Sequence, residues 1–146
     1  MKFYNFTMSN NQRIVSIVDD EIDITELFQD ALSRNVDGVS VVSFNDPTLA
    51  FEHYIQNKQN YALVISDMRM PTLTGLELLK KVKALNPHVR TILVSAFDMQ
   101  SIPNLQKYFK DGTLDSFIEK PITIRRLCQM VSDEIHNHQV ILKNRK

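Results

Sequence analysis

Five polar side chains in this 146-residue chain stand directly after short apolar runs. They are three carboxylates, one hydroxyl and one amine, namely Asp19, Asp20, Asp67, Ser95 and Lys120. Carboxylates that share a site repel one another and raise each other's pKa values, and a divalent cation relieves that repulsion. Mg²⁺ is the natural candidate because it takes hard oxygen ligands from one or two carboxylates. If the fold brings these residues together, they form a magnesium site.

The same set could carry phosphoryl chemistry. An aspartate can act as a nucleophile and form an aspartyl phosphate. A metal ion would bridge the phosphoryl oxygens, and Lys120 would neutralise the remaining charge. The Ser95 hydroxyl can donate a hydrogen bond to the same group. Zinc is disfavoured because the chain has a single cysteine and no Cys/His cluster.

The apolar runs before these residues are short, rich in β-branched side chains and typical of buried strands. Helical spacing of apolar residues separates them. Asp23 and Glu26 have the spacing of a helix start, and Asp46-Pro47 predicts a capped second helix. The predicted strands are 14–18, 39–44, 61–66, 91–94 and 116–119. Helices at about 104–109 and after Pro121 complete five strand–helix units, and the segment 98–110 is the least regular.

Strands that are apolar on both faces and alternate with helices indicate a parallel sheet covered on both sides. In such α/β folds ligands bind at the carboxyl ends of the strands, so the five polar residues should meet at one edge of the sheet. The length fits one domain. We expect a polar tail at 1–12, a folded domain at 13–138 and a basic tail at 139–146.

Composition excludes several classes of protein. Lys and Arg together number 17 and Asp and Glu 17, so the net charge is zero, which disfavours direct binding of nucleic acid. One cysteine cannot form an internal disulfide. The polar N-terminus has no signal-peptide pattern, and no apolar run is long enough to span a membrane. The expected location is the cytoplasm.

Four short motifs, each at the end of a predicted strand, carry a family resemblance. They are V-D-D-E at 18–21, D-M-R-M-P at 67–71 with Gly75 following, S-A at 95–96 and K-P at 120–121. Together they resemble the receiver domain of two-component response regulators. The resemblance implies a flavodoxin-like, doubly wound five-stranded parallel sheet of strand order 2-1-3-4-5 with five helices.

The resemblance assigns the metal and phosphoryl roles residue by residue. Asp67 would be the phosphoacceptor. Asp20 would bind Mg²⁺ directly, and Asp19 would assist, largely through water. The backbone carbonyl of Arg69 would be a further metal ligand, because the family uses the main chain at that position.

The remaining implied roles concern the phosphoryl group and a conformational switch. Lys120 would contact the phosphoryl group, with Ser95 as the switch hydroxyl and Ala96 beside it. Phe117 would be the switch aromatic, although an aromatic in a short strand is as readily explained by core packing. The Arg69 side chain could fold over the phosphoryl group or reach Asp98.

The implied function is that of a stand-alone response regulator receiver. A histidine kinase or phosphotransfer protein would phosphorylate Asp67 in a Mg²⁺-dependent reaction and so switch a protein-binding face formed by helix 4, strand 5 and helix 5. Such a domain can form a homodimer on phosphorylation, and it catalyses only its own phosphorylation and dephosphorylation. It has no membrane or nucleic-acid partner.

Three alternatives stay open from the sequence. The chain could be a receiver cut from a larger regulator with an output domain. It could be an interaction module that works without phosphorylation. A Mg²⁺-dependent phosphohydrolase is a weaker alternative, since such enzymes typically carry an Asp-x-Asp pair, whereas Asp19 and Asp20 are adjacent.

Overall fold

A computed structural model describes residues 12–144 of the chain. All but the last residue of the predicted N-terminal tail, 1–12, lies outside the described residues. The final two residues of the predicted basic tail, 139–146, also lie outside them.

Five parallel strands form a single sheet in the order β2-β1-β3-β4-β5. Their bounds are β1 Arg13–Val18, β2 Val39–Phe44, β3 Tyr61–Asp67, β4 Arg90–Ser95 and β5 Ser116–Glu119. Each predicted strand is present, with its ends within one residue of the predicted bounds. The flavodoxin-like order implied by the resemblance is therefore confirmed.

Within residues 12–144, five α-helices connect and follow the strands. Their bounds are α1 Ile22–Asn35, α2 Pro47–Asn57, α3 Gly75–Leu85, α4 Leu105–Lys110 and α5 Ile124–Asn144, with two 3₁₀ turns at Lys58–Asn60 and Met99–Ser101. The second turn and the short α4 occupy the segment 98–110 that the sequence marked as irregular.

The helices cover both faces of the sheet and bury two apolar clusters. Successive side chains of a strand point to opposite faces, so neighbouring residues of β3 enter different clusters. Leu63 and Ile65 pack with α1 and α5, for example against Leu32 and Leu127. Val64 packs on the other face with α2, α3 and α4. This coverage buries most residues of β1, β3 and β4, whereas every residue of the edge strand β2 is only partly buried.

The helix starts test two predictions. Asp46 caps α2 by accepting a hydrogen bond from the Thr48 N–H at 2.8 Å, and Pro47 occupies the first turn, as predicted. The predicted Asp23 cap of α1 is wrong, because that helix begins at Ile22 and Asp23 lies in its first turn. The chain already turns at Asp19, which accepts a hydrogen bond from the Glu21 N–H at 2.9 Å.

Helix α5 is longer than its apolar spacing indicated. Apolar residues at helical spacing extend only to Ile135 in the sequence, and the basic tail was predicted to begin at residue 139. In the structure the helix continues to Asn144, so residues 139–144 are helical.

Candidate functional site

Three carboxylates meet at the carboxyl edge of the sheet because β1 and β3 are neighbours. Asp19 and Asp20 follow β1, and Asp67 is the last residue of β3. One oxygen from each carboxylate lies within 4.8 Å of the other two. Asp19 is buried, Asp67 is partly buried and Asp20 is exposed to solvent. The predicted convergence is therefore present in the structure.

Lys120, which follows β5, reaches across to two of these carboxylates. Its Nζ lies 3.0 Å from Asp67 Oδ1 and 3.3 Å from Asp19 Oδ2. Its backbone N–H donates to the carbonyl of Ser95 at 2.8 Å, which holds the start of the loop after β5 against β4. Burial lowers the pKa of Lys120, but the hydrogen bond and charge of Asp67, followed by those of Asp19, outweigh it and raise the pKa. The amine thus stays charged beside the acids.

Asp19 is fixed by the backbone around it. Its Oδ1 accepts from the Glu21 N–H, and its carbonyl accepts from the Asn45 side-chain amide at 2.9 Å. Burial raises the pKa of Asp19, and the nearby charge of Asp67 adds to the rise. The Glu21 hydrogen bond and Lys120 oppose it without cancelling it.

The donor set at this edge fits Mg²⁺. Three carboxylates lie together, and the Lys120 amine contacts two of them, Asp19 and Asp67. Within residues 12–144, the Asp20 carboxylate accepts no hydrogen bond and forms no ion pair, so its oxygens have no protein partner there. Hard oxygen donors without protein partners are the ligands that Mg²⁺ takes. The elements place the Arg69 backbone in the loop that follows Asp67, on the same edge.

An open cleft of about 410 Å³ surrounds the acids. Besides the carboxylates Asp20 and Asp67, it is lined by the predicted residues Ser95, Ala96 and Lys120. The other residues that line it are Glu21, Met68, Arg69 and Phe97. A cleft of this kind admits a phosphoryl group to Asp67 from the solvent side.

The Ser95 hydroxyl lies at the inner wall of the cleft and is almost fully buried. Its Oγ accepts a hydrogen bond from the Phe97 N–H at 3.0 Å. Phe117 lies elsewhere, half-buried in register with Leu93 and packed on the cluster beneath α2, α3 and α4. The structure therefore shows a packing role for Phe117, and its switch role stays a prediction.

Gly75, the first residue of α3, allows that helix to lie directly on the end of β3. A Cβ at this position would lie 2.2 Å from the Asp67 carbonyl oxygen and 2.8 Å from Leu93 Cδ1. The Gly75 N–H also donates to the Met68 carbonyl at 2.9 Å. Close packing is therefore the reason for glycine here.

Within the described residues, the Arg69 side chain forms no ion pair with Asp98, one of the two positions that the sequence suggested. The other position, over the phosphoryl group, stays a prediction. The Arg69 Cζ lies 4.4 Å from the centroid of the Phe97 ring, a cation–π contact at the rim of the cleft. Asp98 instead caps the following 3₁₀ turn, where its Oδ1 accepts from the Ser101 N–H at 2.9 Å. Sequence reasoning missed Phe97, although an aromatic residue two positions after Ser95 was a usable signal.

Comparison with known proteins assigns this chain to a family. The sequence profile of the response regulator receiver domain matches residues 15–132, so the chain belongs to the response regulator receiver domain family. Members of this family are the phosphorylated domains of two-component systems, and they bind Mg²⁺ at an acidic pocket. The family is one of signalling proteins rather than of classical enzymes.

Individual relatives agree with this assignment. The chain is 33% identical over 131 residues to the C4-dicarboxylate transport transcriptional regulatory protein DctD of Rhizobium meliloti, with 90% of this chain and 27% of that protein covered. It is 30% identical over 128 residues to the transcriptional regulatory protein ZraR of Klebsiella oxytoca, with 88% and 27% covered. The chain thus spans about a quarter of the length of these curated relatives.

A solved receiver domain from Clostridium thermocellum has the same fold. Its TM-score is 0.77 at 24% identity, and the match covers 88% of this chain and 98% of that one. Separately, no helix within residues 12–144 is both long enough and apolar enough to cross a lipid bilayer.

Proposed function

We propose that this receiver accepts a phosphoryl group on Asp67 from a histidine kinase or phosphotransfer protein in a Mg²⁺-dependent reaction. The observation that carries the proposal is the position of Asp67. Its carboxylate lines an open cleft, 3.0 Å from the Lys120 amine and within 4.8 Å of two further carboxylates. A carboxylate that only stabilised the fold would not need this grouping.

The transfer follows from the contacts. An Asp67 carboxylate oxygen attacks phosphorus, the bond from phosphorus to the donor nitrogen breaks, and the nitrogen keeps the electron pair and takes up a proton. Lys120 already contacts Asp67 and would hold a phosphoryl oxygen, which offsets the charge that develops there. The Ser95 hydroxyl would donate to a second oxygen, with Ala96 beside it at the wall of the cleft.

The metal-binding part of the proposal rests on the acids. Asp20 and Asp67 would bind Mg²⁺ directly, with the Arg69 carbonyl as a further ligand and Asp19 acting through water. When bound, Mg²⁺ neutralises charge on the phosphoryl oxygens as the transfer proceeds. Asp19 is the residue held most firmly by hydrogen bonds, and so it would orient the other ligands.

A protein donor must cover the rim of the cleft, and part of that rim is apolar. Ile24, Leu27 and Phe28 of α1 face Pro121 and Ile122 of the loop after β5. Leu27 is 51% exposed. Because this apolar groove shares Lys120 and Ala96 with the acidic cleft, a helix of the donor lying in it would bring its phosphohistidine to Asp67.

For output, we propose that phosphorylation changes the surface formed by α4, β5 and α5. A phosphoryl group adds about −1.5 to −2 charges at neutral pH. Ser95 and Phe117 lie on β4 and β5, between Asp67 and this surface. The protein would act in the cytoplasm, bind a protein target through this surface and dimerise there on phosphorylation.

The length of the relatives favours a second candidate, in which this receiver is one part of a longer transcriptional regulator. An antibody raised against the chain distinguishes the two candidates. A band near 16.9 kDa in a lysate of the native host supports the stand-alone receiver. A band of several times that mass supports the longer regulator.

The phosphorylation proposal is tested with phosphoramidate, a small donor with a P–N bond. Wild type, Asp67→Asn and Asp46→Asn are incubated with it in Mg²⁺ or in EDTA, and intact mass is measured. Asp46 lies outside the cleft and asparagine is an equally good helix cap, so this variant is the matched control.

The expected result is one phosphoryl adduct on wild type and on Asp46→Asn in Mg²⁺. Asp67→Asn should carry none, and EDTA should suppress the adduct on all three proteins. An adduct of undiminished yield on Asp67→Asn, or no adduct on wild type, rejects the proposal.

A further inference from the structure

The backbone of Asp19 is held on both sides by the last residue of β2 and the residue after it. Its N–H donates to the carbonyl of Phe44 at 3.1 Å, and its carbonyl accepts from the side-chain amide of Asn45 at 2.9 Å. Because β2 is the neighbour of β1 in the sheet, these contacts join residues far apart in the sequence. The acids after β1 therefore depend on a side chain that does not line the acidic cleft.

The amide of Asn45 has a second partner, the hydroxyl of Thr25 in α1. Asn45 Nδ2 lies 2.9 Å from Thr25 Oγ1, and that hydroxyl donates to the carbonyl of Ile22 at 3.0 Å. Thr25 is buried, so water does not compete freely for its hydroxyl. The Asp19 carbonyl can only accept, and Thr25 uses its one hydrogen on Ile22, so both partners of Asn45 need a donor. The amide nitrogen of Asn45 meets this need with its two hydrogens.

The carbonyl that Asn45 holds belongs to the peptide that joins Asp19 to Asp20. This peptide is a rigid plane, so the direction of its carbonyl also fixes where the Asp20 side chain leaves the main chain. Asp20 is exposed, and within residues 12–144 its carboxylate has no hydrogen bond or ion pair to direct it. The main chain therefore aims this carboxylate at those of Asp19 and Asp67, with one oxygen of each within 4.8 Å of the others.

The direction of a carboxylate matters more for Mg²⁺ than for a larger cation. Mg²⁺ demands near-ideal octahedral geometry, whereas Ca²⁺ accepts flexible coordination. Residues that orient metal ligands without touching the metal strongly affect how tightly it binds. We propose that Asn45 is a positioning residue for the magnesium site, which aims the Asp20 carboxylate by holding the carbonyl of Asp19. This inference rests on the proposed binding of Mg²⁺ in the cleft.

The test measures the affinity of the unphosphorylated protein for two cations. Wild type, Asn45→Ala, Asn45→Asp, Thr25→Val and Asn57→Ala are titrated with Mg²⁺ and, separately, with Ca²⁺, and each Kd is taken from the saturation of amide shifts in ¹H–¹⁵N NMR. Urea denaturation in EDTA gives the free energy of unfolding of each protein. Asn57 in α2 is the matched control, because its amide also donates to a backbone carbonyl at 2.9 Å, that of His53, away from the cleft.

We expect Asn45→Ala to raise the Kd for Mg²⁺ about tenfold, and the Kd for Ca²⁺ by a smaller factor, because Ca²⁺ tolerates a misdirected carboxylate. Asn45→Asp should also weaken Mg²⁺ binding although it adds a negative charge, since a carboxylate cannot donate to the Asp19 carbonyl. Thr25→Val, which removes one partner of the amide, should weaken Mg²⁺ binding less than Asn45→Ala. Asn57→Ala should match wild type in both Kd values.

Three results would overturn the inference while leaving the magnesium site intact. They are an unchanged Kd for Mg²⁺ in Asn45→Ala despite a lower free energy of unfolding, an equal rise in Kd for both cations, and tighter Mg²⁺ binding by Asn45→Asp. If Asn45→Ala does not fold, Asn45→Asp and Thr25→Val decide the inference by the same comparison of the two cations. If wild type shows no saturable shifts with Mg²⁺, the proposed metal site fails, and this inference with it.

Discussion

Partly buried charges lie at both the amino and the carboxyl ends of the strands, which we call the amino and carboxyl edges of the sheet. Only at the amino edge do positive and negative side chains occur in equal number. At the amino edge, Arg90 pairs with Glu134 at 2.7 Å and with Asp115 at 3.4 Å, and Lys83 pairs with Asp115 at 2.8 Å. Two acids thus meet two bases. At the carboxyl edge, three carboxylates lie together, and the amine of Lys120 pairs with only two of them, Asp19 and Asp67.

The difference separates charges that are paired within the fold from charges that we propose bind a ligand. Glu134 is further satisfied by the Ser116 hydroxyl and the Asn137 amide, both of which donate to it. Asp20, by contrast, has no partner within residues 12–144. Buried charges that are fully paired cost stability when one partner is removed, whereas neighbouring like charges cost stability while they remain. Substitutions at the two edges should therefore have opposite effects.

The largest expected effect is at the amino edge. Glu134→Ala leaves Arg90 with one carboxylate instead of two, and we expect it to lower the free energy of unfolding by about 3 kcal/mol. Urea denaturation measures this change. Glu134→Gln, which keeps the hydrogen-bonding shape without the charge, should lose less. A loss below about 1 kcal/mol in Glu134→Ala would show that this network does not stabilise the fold.

The second-largest expected effect on the free energy of unfolding comes from adding a side chain where α3 packs on the backbone of β3. Gly75→Ala places a Cβ against the Asp67 carbonyl, and we expect it to lower the free energy of unfolding by about 2 to 3 kcal/mol. Gly112→Ala is the control, because that position has open space and only a positive φ of 84°. Its cost should be about 1 kcal/mol. Equal costs at both positions would contradict the packing argument.

A smaller effect of opposite sign is expected for a charge at the carboxyl edge. Asp20→Asn removes one of three like charges, and in EDTA we expect it to raise the free energy of unfolding by about 1 kcal/mol. Asp23→Asn is the control, since this exposed carboxylate favours the first turn of α1 and its loss should lower stability slightly. Destabilisation by Asp20→Asn in EDTA would remove the contrast between the edges.

The smallest expected effect concerns Asp19 and appears in the pH dependence of the free energy of unfolding. Burial raises the pKa of Asp19 above its ordinary value of 3.8, so the folded state holds this proton more tightly than the unfolded chain. The resulting stabilisation is present below pH 3.8 and is lost as the pH rises through the raised pKa. In EDTA, wild type should therefore lose stability relative to Asp19→Asn from about pH 3.8 upward.

Urea denaturation of the two proteins at a series of pH values checks this expectation. Mg²⁺ should abolish the loss of wild-type stability with rising pH, because it favours the ionised carboxylate. If the difference in free energy of unfolding between wild type and Asp19→Asn does not change with pH in the acid range, folding does not raise the pKa of Asp19.

Some of these features were predictable from the sequence for a simple reason. β-branched apolar runs located all five strands, and polar residues directly after those runs located Asp19, Asp20, Asp67, Ser95 and Lys120. Because parallel strands share one carboxyl edge, residues far apart in the sequence were placed together by topology alone.

Other features depend on contacts that have no local pattern. The amino-edge network joins Lys83, Arg90 and Glu134 from three elements with Asp115 from the loop before β5, and no spacing connects them. Arg69 meets Phe97 although the two residues lie in different loops, one after β3 and one after β4. The apolar residues at the end of α5, Val140, Ile141 and Leu142, are consecutive and lack helical spacing, so the spacing could not show where the helix stops.

The central claim is that the unbalanced acids of the carboxyl edge bind a divalent cation for phosphoryl transfer to Asp67. Titration of Mg²⁺ followed by amide ¹H–¹⁵N NMR tests it most directly. We predict saturable shifts at Asp19, Asp20, Asp67 and Arg69, none at Asp115, and loss of these shifts in Asp20→Asn. Absent shifts at the carboxyl edge, or equal shifts at both edges, would contradict the account.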